Sequence, residues 1–380
     1  MTVDTLPAWL NFQAGQRRQQ IAIRHKQLGI WQEKSWAELH QEIASLVAAL
    51  QIRGFGRGDT LYLLSEPRPE ALLLALAAQW LGGYAALLDI SETADTLTIL
   101  QQLQAQFVFA EAQAQVDLVQ SLNLGQRLLI YANRRGLSAY GHGVLQRYAE
   151  LTAAGQGSIN LHPLAEPDQP AFRFFRLNLQ RQIEQQVLTH SELLAQGRKL
   201  IAQEALTDQE EALAARAFAA SGHTRYLLAP WLLAGFKLNF PENLNTRDID
   251  RRELGPTLVA GTRLSYQRLA ELVNQRLPLP GTPGRAVVDW ALAGSEQSSG
   301  LRLWLSQILI IRPLRDVLGL SRARVPLIVG EKLSPQAAQL LTAIGVQVKP
   351  WPDLKNWQTA GPEKLANPVF ETAAALEAKS

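Results

Sequence analysis

Apolar residues recur along the chain at two alternating spacings. Trp36, Leu39, Ile43, Leu46, Val47 and Leu50 fall on one face at helical spacing, which predicts a helix through "SWAELHQEIASLVAALQIRG". Ser35 and Glu38 make a capping-box pattern at its start, and Gly54 lies just past its end. "TLYLL" at 60–64 reads as a short buried strand, and the apolar run at 69–81 as a helix stopped by Gly82 and Gly83. The same alternation predicts strands at 84–90, 107–111 and 127–131, with helices near 94–105 and 114–122. Strands and helices alternating at this length predict an α/β fold of mixed, mostly parallel sheets with helices packed on them.

The rhythm loosens over 132–170, which is rich in Gly, Ala, Pro and Asp. It resumes with helical runs at 189–204, 208–219, 265–277, 301–312 and 335–344, and with strands at 236–240, 257–261, 325–330 and 346–351. "LPLPGTPG" at 277–284 reads as a surface loop, and the closing "ETAAALEAKS" as a short exposed helix. The expected organisation is a first α/β subdomain over 1–150, a linker over 151–170, a second α/β subdomain over 171–355 and a tail over 356–380.

Composition narrows the function classes. The 380 residues are 47% hydrophobic and 19% charged, enough for a sizeable core. A formal net charge of +3, with no lysine or arginine block, does not predict nucleic acid as a partner. The absence of cysteine excludes disulfides, thiol nucleophiles and cysteine metal sites. The six histidines, at 25, 40, 142, 162, 190 and 223, have no metal-ligand spacing, so no metal is expected. "MTVDTLPAWL" has an early acid and no basic segment before an apolar run, so no signal peptide is expected. The run from Ala71 to Leu81 is interrupted by Gln79. It falls short of the ~20 residues of a bilayer span, which makes the cytoplasm the expected compartment. "RLWLSQILIIRPLR" at 302–315 sets Trp304, Ile308, Leu309 and Ile311 beside Arg302, Arg312 and Arg315. That mixture suits a core helix with charged ends, or peripheral contact with an anionic membrane. "GFGRGD" at 54–59 follows a helix and precedes a strand, the reverse of a dinucleotide loop, and reads as a turn.

The stretch "AIRHKQLGIWQEKSWAELHQEIASLVAALQIRGFGRGDTLYLLSEPRPE" resembles the opening of bacterial long-chain acyl-CoA synthetases, which are AMP-forming acyl-adenylate ligases. The resemblance continues through "FVFAEAQAQVDLV", "YANRRGLSAYG", "VLTHSELL", "ELGPTLVAGTRLSYQRL" and "RPLRDVLGLSRARVPLIVGEKLSPQAAQLLTAIGVQV", in the family's order. It implies two related α/β subdomains, as in the N-terminal part of such ligases. It also implies a chemistry in which ATP and Mg²⁺ activate a fatty acid for transfer to coenzyme A.

The family's key positions are altered here. Its phosphate loop is rich in Ser, Thr and Gly and ends in Pro-Lys-Gly shortly before Leu-Thr-His. Glycines let the backbone approach phosphate, hydroxyls donate, and the lysine neutralises charge. Counting back from Leu188-Thr189-His190, this chain has Arg176, Leu177, Asn178, Leu179, Gln180, Arg181, Gln182, Ile183, Glu184 and Gln185. The lysine position falls on Glu184, whose carboxylate would repel a triphosphate. Leu177, Leu179 and Ile183 remove the backbone freedom of glycine, while Arg176 and Arg181 remain as cations that an anion could meet. The Tyr-Gly-x-Thr-Glu motif is replaced by Pro352-Asp353-Leu354-Lys355-Asn356. The ribose-binding aspartate region and the C-terminal domain with its catalytic lysine are expected to be absent.

Near the family's acyl pocket, "AASGHTRY" aligns His223 with a Leu-Pro-Leu-x-His histidine, and Thr262 and Arg263 begin the counterpart of Pro-Arg-x-Trp-Glu. These three are either a residual acyl pocket or structural remnants, the latter being favoured. The sequence therefore predicts a non-catalytic, synthetase-like scaffold without cofactor. Its expected partner is a protein: an active synthetase, an acyl carrier or a larger assembly. One half of a split acyl-CoA ligase and a fatty-acyl binding protein are the alternatives.

Overall fold

The computed structural model describes residues 3–137, 143–154, 162–214, 221–292, 304, 306–354 and 356–360. It begins with α1 (Leu6–Gln16) and the hairpin β1 (Ile21–Gln27) and β2 (Ile30–Ser35). Then comes α2 (Trp36–Ile52), where Ser35 and Glu38 form the reciprocal capping box and Gly54 takes φ +80° beyond the end. "GFGRGD" is the turn into β3 (Thr60–Leu64), which is buried throughout. Next are α3 (Pro69–Trp80), β4 (Tyr84–Leu87), α4 (Thr93–Gln102), β5 (Phe107–Ala110), α5 (Gln113–Ser121) and β6 (Leu128–Tyr131). Helix α3 has apolar side chains all round because it is buried all round, from Pro69 to Trp80 with only Glu70 partly open.

The loose stretch at 132–170 holds more structure than its composition suggests. It contains β7 (Leu145–Arg147) and α6 (Tyr148–Ala154). Beyond it, β8 (Pro170–Leu177) and β9 (Ile183–Thr189) form an antiparallel hairpin, followed by α7 (His190–Glu204). The remaining strands are β10 (Glu211–Leu213), β11 (Lys237–Phe240), β12 (Leu258–Gly261), β13 (Val325–Val329), β14 (Lys349–Trp351) and β15 (Gln358–Thr359).

Two sheets result, both mostly parallel. One has seven strands in the order β14-β13-β12-β10-β11-β1-β2, the other eight in the order β15-β9-β8-β4-β3-β5-β6-β7. This is the expected α/β class, yet the sheets do not divide at 151–170. Strand β1 pairs in parallel with β11, Ile23 opposite Leu238, and β8 pairs in parallel with β4, Phe172 opposite Ala85. Each sheet thus takes strands from both sides of the linker. Composition marks where a chain is loose, whereas strand partners are chosen by buried faces far apart in sequence. One apolar core runs through both sheets and the helices between them, with Leu61, Leu63 and Ala85 from one sheet and Leu238, Leu258 and Leu327 from the other.

Other expectations also change. Residues 208–219 were expected to be helical, but Glu211–Leu213 is a buried strand between β11 and β12. Sheet pairing there overrides local propensity, and 215–219 lie outside the described residues. The loop expected at 277–284 runs into a helix, Pro283–Leu292, with Pro283 in its first turn. The helix expected at 301–312 is seen as a π turn, Gln307–Ile311, continuing into Arg312–Val317. Residues 301–303, 305 and the tail helix lie outside the described residues. Among the described residues no helix is long and apolar enough to cross a membrane.

Two buried histidines make stability depend on pH. His190 is fully buried, and its Nδ1 accepts a hydrogen bond from the Leu6 N–H at 3.2 Å, so the neutral ring is the form that fits. Burial pushes His190 down to about 3 and is also the largest cause pushing His25 down to about 4. Unfolded, both titrate near 6.5, so below that pH the unfolded chain binds protons the folded chain refuses. Their contribution is intact above pH ~6.5 and falls with pH, by at most about 1.4 kcal/mol per pH unit for each ring. Urea midpoints should therefore drop between pH 7 and 5, and His25→Gln should flatten the slope. Equal slopes for the two proteins would contradict this assignment.

Candidate functional site

A cleft of about 550 Å³ lies where the carboxyl ends of strands from both sheets meet. Leu87 and Asp89 come from the end of β4, Phe174, Phe175 and Arg176 from β8, and Thr262, Arg263 and Leu264 follow β12. Val329, Gly330 and Glu331 close β13, and Asp353 and Trp357 follow β14. Open α/β sheets place ligands at such strand ends.

Of the ten residues 176–185 Arg176 lines this cleft, and the ten form a closed β-turn hairpin. Leu177 pairs with Ile183 and Arg176 with Glu184. Asn178 organises the turn: its Oδ1 accepts from the N–H of Gln180 at 3.0 Å and of Gln182 at 2.9 Å. Its own N–H donates to the Gln182 carbonyl, and the Arg181 N–H donates to the Asn178 carbonyl, each at 2.9 Å. Arg181 adopts φ +59°, the left-handed conformation glycine would take without strain. Four backbone N–H groups of the turn are thus satisfied within it, whereas a phosphate cradle needs such groups free. Glu184 is further enclosed by β15, whose Thr359 lies opposite it on the other side of β9.

The two arginines are engaged internally. The Arg176 guanidinium meets the Glu184 carboxylate at 2.7 Å and lies 4.3 Å from the centre of the Trp357 ring. Arg181 reaches across to Asp95 at 2.7 Å and to the Thr98 hydroxyl at 3.2 Å. Of the other candidates, Thr262 and Arg263 do line the cleft. Thr262 caps the helix Arg263–Arg276, its Oγ1 accepting from the Ser265 N–H at 3.3 Å, and Arg263 pairs with Glu331 at 2.9 Å. His223 stands behind the wall, with Nε2 3.2 Å from the Ala260 carbonyl oxygen. Ser221 lines the cleft in its stead, held by the buried Arg225, which donates to its Oγ at 3.1 Å and also pairs with Glu192. Gly222 is required there, since a Cβ would come within 2.4 Å of Val329 Cγ1.

Sequence reasoning missed the carboxylates of this cleft. Asp89, Glu92, Asp95, Glu331 and Asp353 line it, against only two guanidiniums, those of Arg176 and Arg263. A usable signal existed: Asp89 and Glu331 are charged residues just past buried strands. The closed turn, with its N–H groups already bonded, and Glu184 at the lysine position do not fit the phosphates of a nucleoside triphosphate.

Residues 10–173 match the family model described as AMP-binding enzyme. The described chain as a whole has the fold of the N-terminal part of adenylate-forming ligases. It is similar to the adenylation domain of a carboxylate reductase from Mycobacterium chelonae, with a TM-score of 0.67 and 15% identity over 92% of this chain and 57% of that one. It is similar to a benzoate CoA ligase from Burkholderia xenovorans LB400, with a TM-score of 0.65 and 17% identity over 92% of this chain and 60% of that one. A carboxylic acid reductase didomain from Segniliparus rugosus, in complex with AMP, gives a TM-score of 0.69 and 15% identity over 93% of this chain and 52% of that one. The chain therefore spans between 52% and 60% of the length of these three adenylate-forming structures. No curated protein sequence matches it.

Proposed function

We propose that this chain is a non-catalytic homologue of adenylate-forming ligases that acts as a scaffold or interaction protein. The observation that carries this reading is the closed turn at 178–182, whose backbone N–H groups bond within the turn while Glu184, at the lysine position, is held by Arg176. Its expected partner is a protein such as an active synthetase, an acyl carrier or a larger assembly. An apolar ligand is a second reading, favoured by the cleft with Leu87, Ile99, Phe174 and Phe175 in its lining.

Calorimetric titration with Mg-ATP is expected to give no heat of binding, and palmitate-dependent pyrophosphate exchange is expected to be nil. Glu184→Lys should not restore either, because the turn stays closed. It places two cations opposite each other in the hairpin and should cost about 0.5–1 kcal/mol of stability. Measurable exchange by the unmodified chain would overturn the non-catalytic reading.

A further inference from the structure

We propose that the cleft between the two sheets has inverted its charge preference and admits organic cations, an ammonium carried on an aromatic or alkyl body, while excluding anions of the same shape. The proposal rests on the reading that the phosphate contacts are gone, and it assigns a ligand class to the cleft that remains. Three observations support it together. The first is the cavity itself, about 550 Å³, a size that suits a small organic ligand. Leu87, Ile99, Phe174, Phe175 and Val329 give it a buried apolar floor.

The second is the charge at the mouth. Both lining guanidiniums already have carboxylate partners, Arg176 with Glu184 and Arg263 with Glu331. Asp89 accepts hydrogen bonds from the Ser91 N–H and hydroxyl, at 2.9 and 2.6 Å, and has no ion-pair partner among the described residues. Glu92 is exposed and has no side-chain partner among the described residues. The chain as a whole carries +3, so the negative lining is local to the cleft. Charge of one sign on low-dielectric walls focuses the field and concentrates the opposite charge. The third is Trp357, which already receives a guanidinium on its face and lines the same cavity. Aromatic faces attract cations and not anions.

Phenylbutylamine and phenylbutyrate share a body and differ in the sign of the head. Titrated into the full chain at low salt and pH 7, the amine is expected to bind at least about tenfold more tightly, an advantage that shrinks as salt rises. The pair Asp89→Asn and Glu92→Gln should weaken amine binding about fivefold with an unchanged melting midpoint, and Leu87→Trp should fill the floor and abolish it. Equal or tighter binding of phenylbutyrate, or no binding of the amine, overturns the proposal without reference to any variant. Mg-ATP titrated in parallel reads the other question. Nucleotide binding overturns the reading that the phosphate contacts are gone, whatever the amine does, and a cleft that takes neither overturns the cation proposal alone.

Discussion

Trp36→Ala is expected to cost about 3–5 kcal/mol of folding stability. Trp36 opens α2, is fully buried, and stacks on Trp231 with ring centres 4.9 Å apart and planes 20° from parallel. Trp231 in turn donates its indole N–H to the Ala22 carbonyl at 3.1 Å, so the stack joins a helix start, a second helix and strand β1. Removing the ring leaves a cavity that three separately anchored elements cannot close. The Trp36 indole N–H itself is buried and has no hydrogen-bond partner among the described residues. Trp36→Phe should therefore lose far less than the alanine variant, since it keeps most of the stack and deletes an unsatisfied donor. Guanidinium denaturation of the two variants checks this. Equal losses would mean that the indole nitrogen, and not the packing, carries the stability.

Lys26→Met is expected to cost about 3 kcal/mol. Lys26 on β1 and Asp250 on the helix Arg247–Leu254 form a pair 3.0 Å apart, with side chains only 8% and 1% exposed. Glu253 also contacts the ammonium. Without the lysine, Asp250 is left charged in the interior, although the Glu242 N–H at 3.0 Å and the Thr246 hydroxyl at 2.7 Å still donate to it. Those two bonds place the expected loss at the lower end of the range for a broken buried pair. Adding Asp250→Asn should recover part of the loss, because it removes the stranded charge. Additive losses in the double variant would show that the two side chains are not coupled.

The first α/β run was legible because its signals are local. Ser35 and Glu38 announce the start of α2, Gly54 its stop, and the fully apolar "TLYLL" a buried strand, and each of these stands in the structure. Helix α3 was legible by its apolar run up to Gly82, although burial on every side erased its periodicity. The hairpin β1–β2 was hidden because β1 completes its sheet with β11, more than two hundred residues away. Strand β10 was hidden because three residues show no period of their own and only their neighbours in the sheet make them a strand.

The site divides in the same way. Alignment by residue type placed Glu184 at a lysine position and put Thr262 and Arg263 at a pocket, and both of the latter line the cleft. It also offered Arg176 and Arg181 as cations, which the fold consumes in ion pairs with Glu184 and Asp95. The sequence alone thus determined the helices and strands from α2 to β6 and which residue types of a phosphate site are missing, because both are read within a few neighbouring positions. The tertiary structure alone decided how strands from both halves share two sheets, and that carboxylates from 89–95, 331 and 353 gather at one mouth. Those outcomes depend on burial and charge between segments that meet only when the chain is folded.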